Sequence, residues 1–123
     1  MELEELFDYC SSKSYATSGF PFNENLLTFQ VGGKIFAMIA VHFWEQGNKN
    51  IILKCPPELA LALRDEYVDI THGYTMNKKH WNTIYLRGRF TLEQIKEWVD
   101  LSYDLVYDSL ISKELNKMDK LSL

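Results

Sequence analysis

Apolar residues recur along this chain with two periods, and the points where the period changes mark the predicted elements. From Glu2 to about Lys13, Leu3, Leu6, Phe7 and Cys10 fall at spacings of three and four, which is one face of a short helix. Glu2, Glu4, Glu5 and Asp8 suit its first turns, where negative charge meets the positive end of the helix dipole. An acidic metal-binding ridge is the alternative use of those carboxylates. Ser18 to Asn25 reads as a loop punctuated by Gly19 and Pro21, with Phe20 and Phe22 plugging it onto the core. Leu27, Phe29 and Val31 then alternate with Thr28 and Gln30, as a half-buried strand requires. Gly32-Gly33 supplies the positive φ values of a two-residue hairpin turn. The return strand, Lys34 to Val41, is apolar throughout and so is expected to be central and covered on both faces. His42 to Glu45 extends it toward a turn at Gln46 to Lys49, and a third strand runs from Asn50 to Cys55.

Pro56-Pro57-Glu58 opens a helix, since proline is tolerated in a first turn whose backbone donors lack partners. Leu59, Ala62, Leu63 and Tyr67 are expected to line its buried side. Asp69 to Thr75 reads as irregular, with a bend at Gly73. From Asn82 the strand period returns, placing Ile84 and Leu86 on one face and Thr83, Tyr85 and Arg87 on the other. Thr91 caps the last helix, and Gln94 three residues on completes a capping box. Ile95, Val99, Ser102, Val106 and Leu110 form the stripe of that helix, widened by Trp98, Leu101 and Leu105. Residues 1–112 thus form a single domain, and 113–123 a polar tail expected to fray. The plan is α+β, with a mainly antiparallel sheet packed by N- and C-terminal helices.

Composition narrows the picture. The 123 residues are 46% hydrophobic and 24% charged, the balance of one globular domain. No apolar run reaches the roughly 20 residues that cross a bilayer, and the acidic start MELEELF does not resemble a secretory signal, so the expected compartment is the cytoplasm and no membrane partner is expected. Cys10 and Cys55 stand apart without ligand spacing to any histidine, so neither a disulfide framework nor a metal site is expected, and no cofactor is implied. A net charge of -4 argues against a general nucleic-acid binder. Its distribution matters more. Between His72 and Leu92, Lys78, Lys79, Arg87 and Arg89 meet no acid, so this window carries +4. A chain that is acidic overall can still present one positive face, because screening over about 8 Å makes the local field dominate.

The window contains the stretch least explained by burial, HGYTMNKKHWNTIYL from His72 to Leu86. Amide, ammonium, imidazole and indole groups stand side by side there without a hydrophobic repeat until Asn82. Lys78, Lys79, Arg87 and Arg89 suit phosphates, Asn77 and Asn82 suit phosphates or base edges, and Trp81 or Tyr74 suits stacking. Each has a structural alternative: Arg87 and Arg89 as edge-guarding charges, Asn77 as a turn residue, Trp81 as a core anchor and His80 as a hydrogen-bonded histidine.

Across almost its whole length the chain resembles the MmcQ/YjbR proteins. The resemblance rests on Phe20-Pro21-Phe22, on VGGKIFA from Val31, on Leu53-Lys54-Cys55 with Pro57-Glu58, on MNKKHWNT from Met76 and on SYDLV from Ser102. Thr75 stands where many members carry a histidine. The resemblance implies a CyaY-like, frataxin-like two-layer sandwich and a double-wing motif associated with DNA binding. The expected function is therefore a small non-catalytic protein binding double-stranded DNA through Asn77, Lys78, Lys79, His80, Arg87 and Arg89. Two alternatives stay open. One is a protein-interaction module whose anchor patch is Phe43, Trp44, Tyr74 and Trp81. The other is an enzyme in which Cys55 and His80 meet as nucleophile and base.

Overall fold

A computed structural model describes residues 1–73 and 76–121, with side chains described as far as Lys113. The elements are α1 (Leu3–Ser11), β1 (Ala16–Gly19), β2 (Leu26–Val31), β3 (Lys34–Ala40), α2 (Val41–Glu45), β4 (Asn50–Lys54), α3 (Pro57–Glu66), β5 (Ile70–His72), β6 (Trp81–Tyr85) and α4 (Leu92–Leu121). The fold is α+β, with six strands in the order β1-β2-β3-β4-β6-β5 and every neighbouring pair antiparallel.

Strand periodicity sorts the core into two parts. Toward α1 and α4 point Leu27, Phe29, Ala37, Ile39, Ile51, Leu53 and Ile84, which pack with Leu6, Cys10, Ile95 and Val99. The opposite face carries a smaller cluster of Leu26, Met38, Ala40, Ile52 and Trp81, flanked by Ile35, Phe43 and Met76. Burial on both faces matches the continuous apolar run expected of β3.

Gly32 and Gly33 turn the β2–β3 hairpin at φ 56 and 77. A Cβ on Gly32 would stand 2.7 Å from Leu110 Cδ1, so α4 lies directly against this turn. The start of α4 is fixed by Thr91, whose Oγ1 accepts a hydrogen bond from the Gln94 amide at 3.1 Å. Farther along, the fully buried Ser102 reaches between two strands: its hydroxyl donates to the Phe36 carbonyl at 2.6 Å and accepts from the Lys54 amide at 2.8 Å. A helix side chain thereby serves as a rung of the sheet where β3 and β4 part.

Five features differ from the sequence reading. Part of the expected loop at Ser18 is the edge strand β1, whose sequence ATSG has no apolar alternation to announce it. His42 to Glu45 turn into α2 rather than extending β3. The cause is Asn50, whose buried side-chain amide accepts from the Ala40 amide at 2.9 Å and donates to its carbonyl at 3.0 Å, satisfying backbone groups that a further strand pair would have used. Ile70 to His72, expected to be irregular, pair with β6 as a strand too short to show a period. In α3 the buried residue is Ala60, with Leu63 and Tyr67 partly covered, whereas Leu59 and Ala62 face outward. The backbone of α4 continues through residue 121, into the segment read as a polar tail.

Candidate anion-binding site at one end of the sheet

The turn before β6 is built by Asn77. Its side-chain oxygen accepts from the Lys79 amide at 2.9 Å, and its carbonyl accepts from the amides of His80 and Trp81, both at 3.1 Å. An asparagine that bonds its own backbone two residues on is the local device for such a turn. The turn is then tied to its surroundings. The Cys55 amide donates to the His80 carbonyl at 2.8 Å. Arg64 of α3 donates to the Lys78 carbonyl at 2.7 Å and to Asn82 Oδ1 at 3.3 Å, and Asn82 Nδ2 donates to the Ala60 carbonyl at 3.1 Å. Asn77, Arg64 and Asn82 thus hold the backbone, while the Lys78 and Lys79 side chains stand exposed.

Trp81 is only 6% exposed and packs in the smaller core cluster, so the stacking role considered for it is corrected to that of an anchor. The physical reason is the strand register: Trp81 lies opposite Lys54 on the face that already buries Met38 and Ile52. Gly73 fits against it so closely that a Cβ there would stand 2.5 Å from Trp81 Cβ. Tyr74, the other stacking candidate, and Thr75 lie outside the described residues.

Beside Trp81 opens a cleft of about 350 Å³. Lys34 and Lys54 are among its lining residues, with Ile35, Met76, Trp81 and Val106 supplying apolar surface. Lys113, on α4 one turn beyond the cleft residue Ser109, comes against Lys34. The Lys34 ammonium beside it holds the Lys113 amine below the ordinary lysine range. Lys34 from the hairpin, Lys54 from β4, Lys78 and Lys79 from the turn and Lys113 from α4 therefore gather at one end of the sheet. Among the described residues none of the five forms an ion pair. Such a gathering of like charge favours an anionic ligand.

Arg87 and Arg89 do not join them. They follow the opposite end of β6, a strand of five residues, so roughly 17 Å of strand at about 3.3 Å per residue separates them from the turn. Both bind Asp69, Arg87 Nη1 at 3.2 Å and Arg89 Nε at 2.9 Å. The Arg89 hydrogen bond, helped by Arg87, outweighs burial and holds the Asp69 carboxyl below the usual carboxylate range. Arg87 also lies 4.7 Å from the centre of the Tyr85 ring. The +4 window of the sequence is thus split between two ends of the sheet, and its arginine half is already paired.

Lys34, Lys54 and Lys113 escaped the sequence reading because each is isolated in the chain. The signal that finds Lys34 and Lys54 is the strand pairing, which brings the start of β3 and the end of β4 to one sheet end, whereas Lys113 arrives there through the seating of α4.

The aromatic patch considered from sequence is largely covered among the described residues. Trp81 is buried, Phe43 and Trp44 are partly covered, and Trp44 Nε1 donates to the Asn50 carbonyl at 2.9 Å. The exposed aromatics among the described residues are instead Tyr15, Phe20 and Phe22, with Phe7 at the margin. Cys55 and His80 are neighbours through their backbones, and burial pushes the Cys55 thiol up to about 11. Glu2 and Glu5, part of the acidic ridge considered at the N-terminus, form a capping box. No cluster of three or more His, Cys, Asp or Glu among the described residues is arranged to hold a metal ion.

Comparison with known proteins adds a lineage to this geometry. The YjbR family model matches residues 11–105. The YjbR protein of Escherichia coli strain K12 is 33% identical over 119 residues, spanning 96% of this chain and 97% of that protein. The YbdF protein of Escherichia coli O157:H7 is 32% identical over 98 residues, 80% of this chain and 78% of the other. Among solved structures, the Deinococcus radiodurans protein DR2400, with a DUF419 domain, superposes with a TM-score of 0.77 at 31% identity, covering 85% of this chain and 77% of its own. A Pseudomonas syringae protein at 23% identity shares the fold, with a TM-score of 0.70 over 86% of this chain and 99% of its own.

Proposed function

This chain belongs to the YjbR family, and from that premise we propose that it is a small non-catalytic protein that binds double-stranded DNA through the lysine end of its sheet. The observation that carries the proposal is the convergence of Lys34, Lys54, Lys78, Lys79 and Lys113 from four separate elements, with no carboxylate among the described residues paired to any of them. Lysine ammoniums so placed neutralise backbone phosphates, the contact that supplies most of non-specific affinity and fixes a protein on the duplex. Arg87 and Arg89, committed to Asp69, are left out of this surface. Asn77 and His80 serve it by shaping the turn. The proposal includes the CyaY-like description of the fold, which the packing of α1 and α4 on one face of an antiparallel sheet supports. It also includes a cytoplasmic location, supported by two buried cysteines that form no disulfide.

A salt titration with a fluorescent duplex tests the reading. If all five lysines meet phosphates, log affinity falls with log salt at a slope of about -4.5. Reversing the charge of Lys34 and Lys54 together flattens that slope by about 1.8. Absence of binding at low salt, or a slope unchanged in the double variant, would overturn it.

A further inference from the structure

Phosphate contacts leave one part of the lysine end unused. The cleft has an apolar wall, to which Ile35, Met76, Trp81 and Val106 contribute, and carries Lys34 and Lys54 in the same lining. A duplex has nothing to offer that wall, because each base face in a stack is covered by its neighbours and only phosphates and groove edges are outward. Small-ligand sites span roughly 300–1,000 Å³, so a cleft of about 350 Å³ admits a single flat unit and not a folded partner. The ligand that fits has negative charge at one end and an apolar π-face at the other.

We infer that the cleft holds one unpaired nucleotide, its phosphate between Lys34 and Lys54 and its base face against Met76 and Ile35. This rests on the nucleic-acid reading above and sharpens it: a strand with free bases is the better partner, and a duplex is engaged most tightly where an end or gap exposes a nucleotide. Ser109 at the cleft suits the same ligand. Its hydroxyl donates to the Val106 carbonyl at 2.8 Å, which leaves the oxygen to accept from a base N–H, the N3–H in the case of thymine. The wall needs no sequence preference, since every base has a π-face.

Anisotropy titrations of the full chain with a fluorescein-labelled oligothymidylate and with a blunt duplex of equal length decide the matter. The single strand is expected to bind about tenfold tighter, the equivalent of one base stack. Ser109→Phe, which fills the cleft without altering charge, is expected to erase that preference while duplex affinity stays within about twofold. Met76→Ser, which strips the wall, gives the same result and covers the case in which the bulkier variant does not fold by circular dichroism. Lys78→Glu with Lys79→Glu weakens both ligands alike. Equal affinity of the wild type for the two ligands, or a preference that survives both cleft variants, overturns the inference and leaves nucleic-acid binding standing. Failure of both ligands to bind at low salt instead overturns the nucleic-acid reading itself.

Discussion

Two arginines at one end of the sheet share the carboxylate of Asp69, while five lysines gather at the other without a carboxylate among the described residues. The same chemical inventory serves opposite purposes. At the arginine end, planar guanidiniums grip a nearly buried acid and close the corner between β5 and β6. At the lysine end, flexible ammoniums on well-anchored backbone are left with their charge unspent. Arginine suits the first task because its fork binds a carboxylate with directional hydrogen bonds, and lysine the second because it acts as a mobile point charge. A count of charge along the sequence adds Arg87 and Arg89 to Lys78 and Lys79 as one +4 window; only pairing separates a structural charge from an available one.

The largest effect expected at the lysine end comes from removing its platform. Trp81→Ala is expected to cost about 3–5 kcal/mol in urea unfolding, the range for deleting a large buried aromatic, since Trp81 joins the turn to the smaller core cluster. A cost below about 1 kcal/mol would mean that the turn is held by its hydrogen bonds alone. Next in size, Lys78→Glu with Lys79→Glu is expected to lower duplex affinity at least about tenfold, or about 1.4 kcal/mol, while Arg87→Gln changes it less than twofold. Equal losses at the two ends would erase the distinction between them. Asp69→Asn should blur it in a different way, by releasing both guanidiniums: the salt slope of duplex binding steepens by up to about 1.8, and the melting temperature falls.

The smallest expected effect is a pH dependence. Because the arginines lower the folded-state value of the Asp69 carboxyl, its contribution is present above the unfolded carboxylate value of about 3.9 and is lost as pH falls through the folded value. The stability gap between wild type and Asp69→Asn is therefore expected to close on acidification and to stay constant from pH 5 to 8. A gap that widens toward low pH would reverse the assignment.

The sequence made the larger elements visible because each carries its own period or cap. The Gly32-Gly33 hairpin, the apolar β3, the proline start of α3 and the Thr91 cap of α4 are all local signals, and all are found where they were expected. What was hidden depends on pairing. β1 and β5 are short and become strands only because β2 and β6 offer them edges. α2 exists because Asn50, ten residues on from Ala40, takes over its backbone bonds. The candidate site divides in the same way. The Asn77 turn with Lys78 and Lys79 could be read directly, whereas Lys34, Lys54 and Lys113 reach it only through strand register and the seating of α4. Arg87 and Arg89 looked available because their partner, Asp69, lies outside the acid-free window that drew attention to them.

The serine rung between β3 and β4 ties events in time. Exchange of the Lys54 amide with solvent hydrogen requires that its bond to the Ser102 hydroxyl break, so this strand amide is protected by a helix and not by a neighbouring strand. Its exchange rate therefore reports the lifting of α4 from the sheet, an opening that can be far rarer than the fraying of a strand end. Lys54 also lines the cleft, so the clock that times the release of α4 sits beside the surface where an anion would settle.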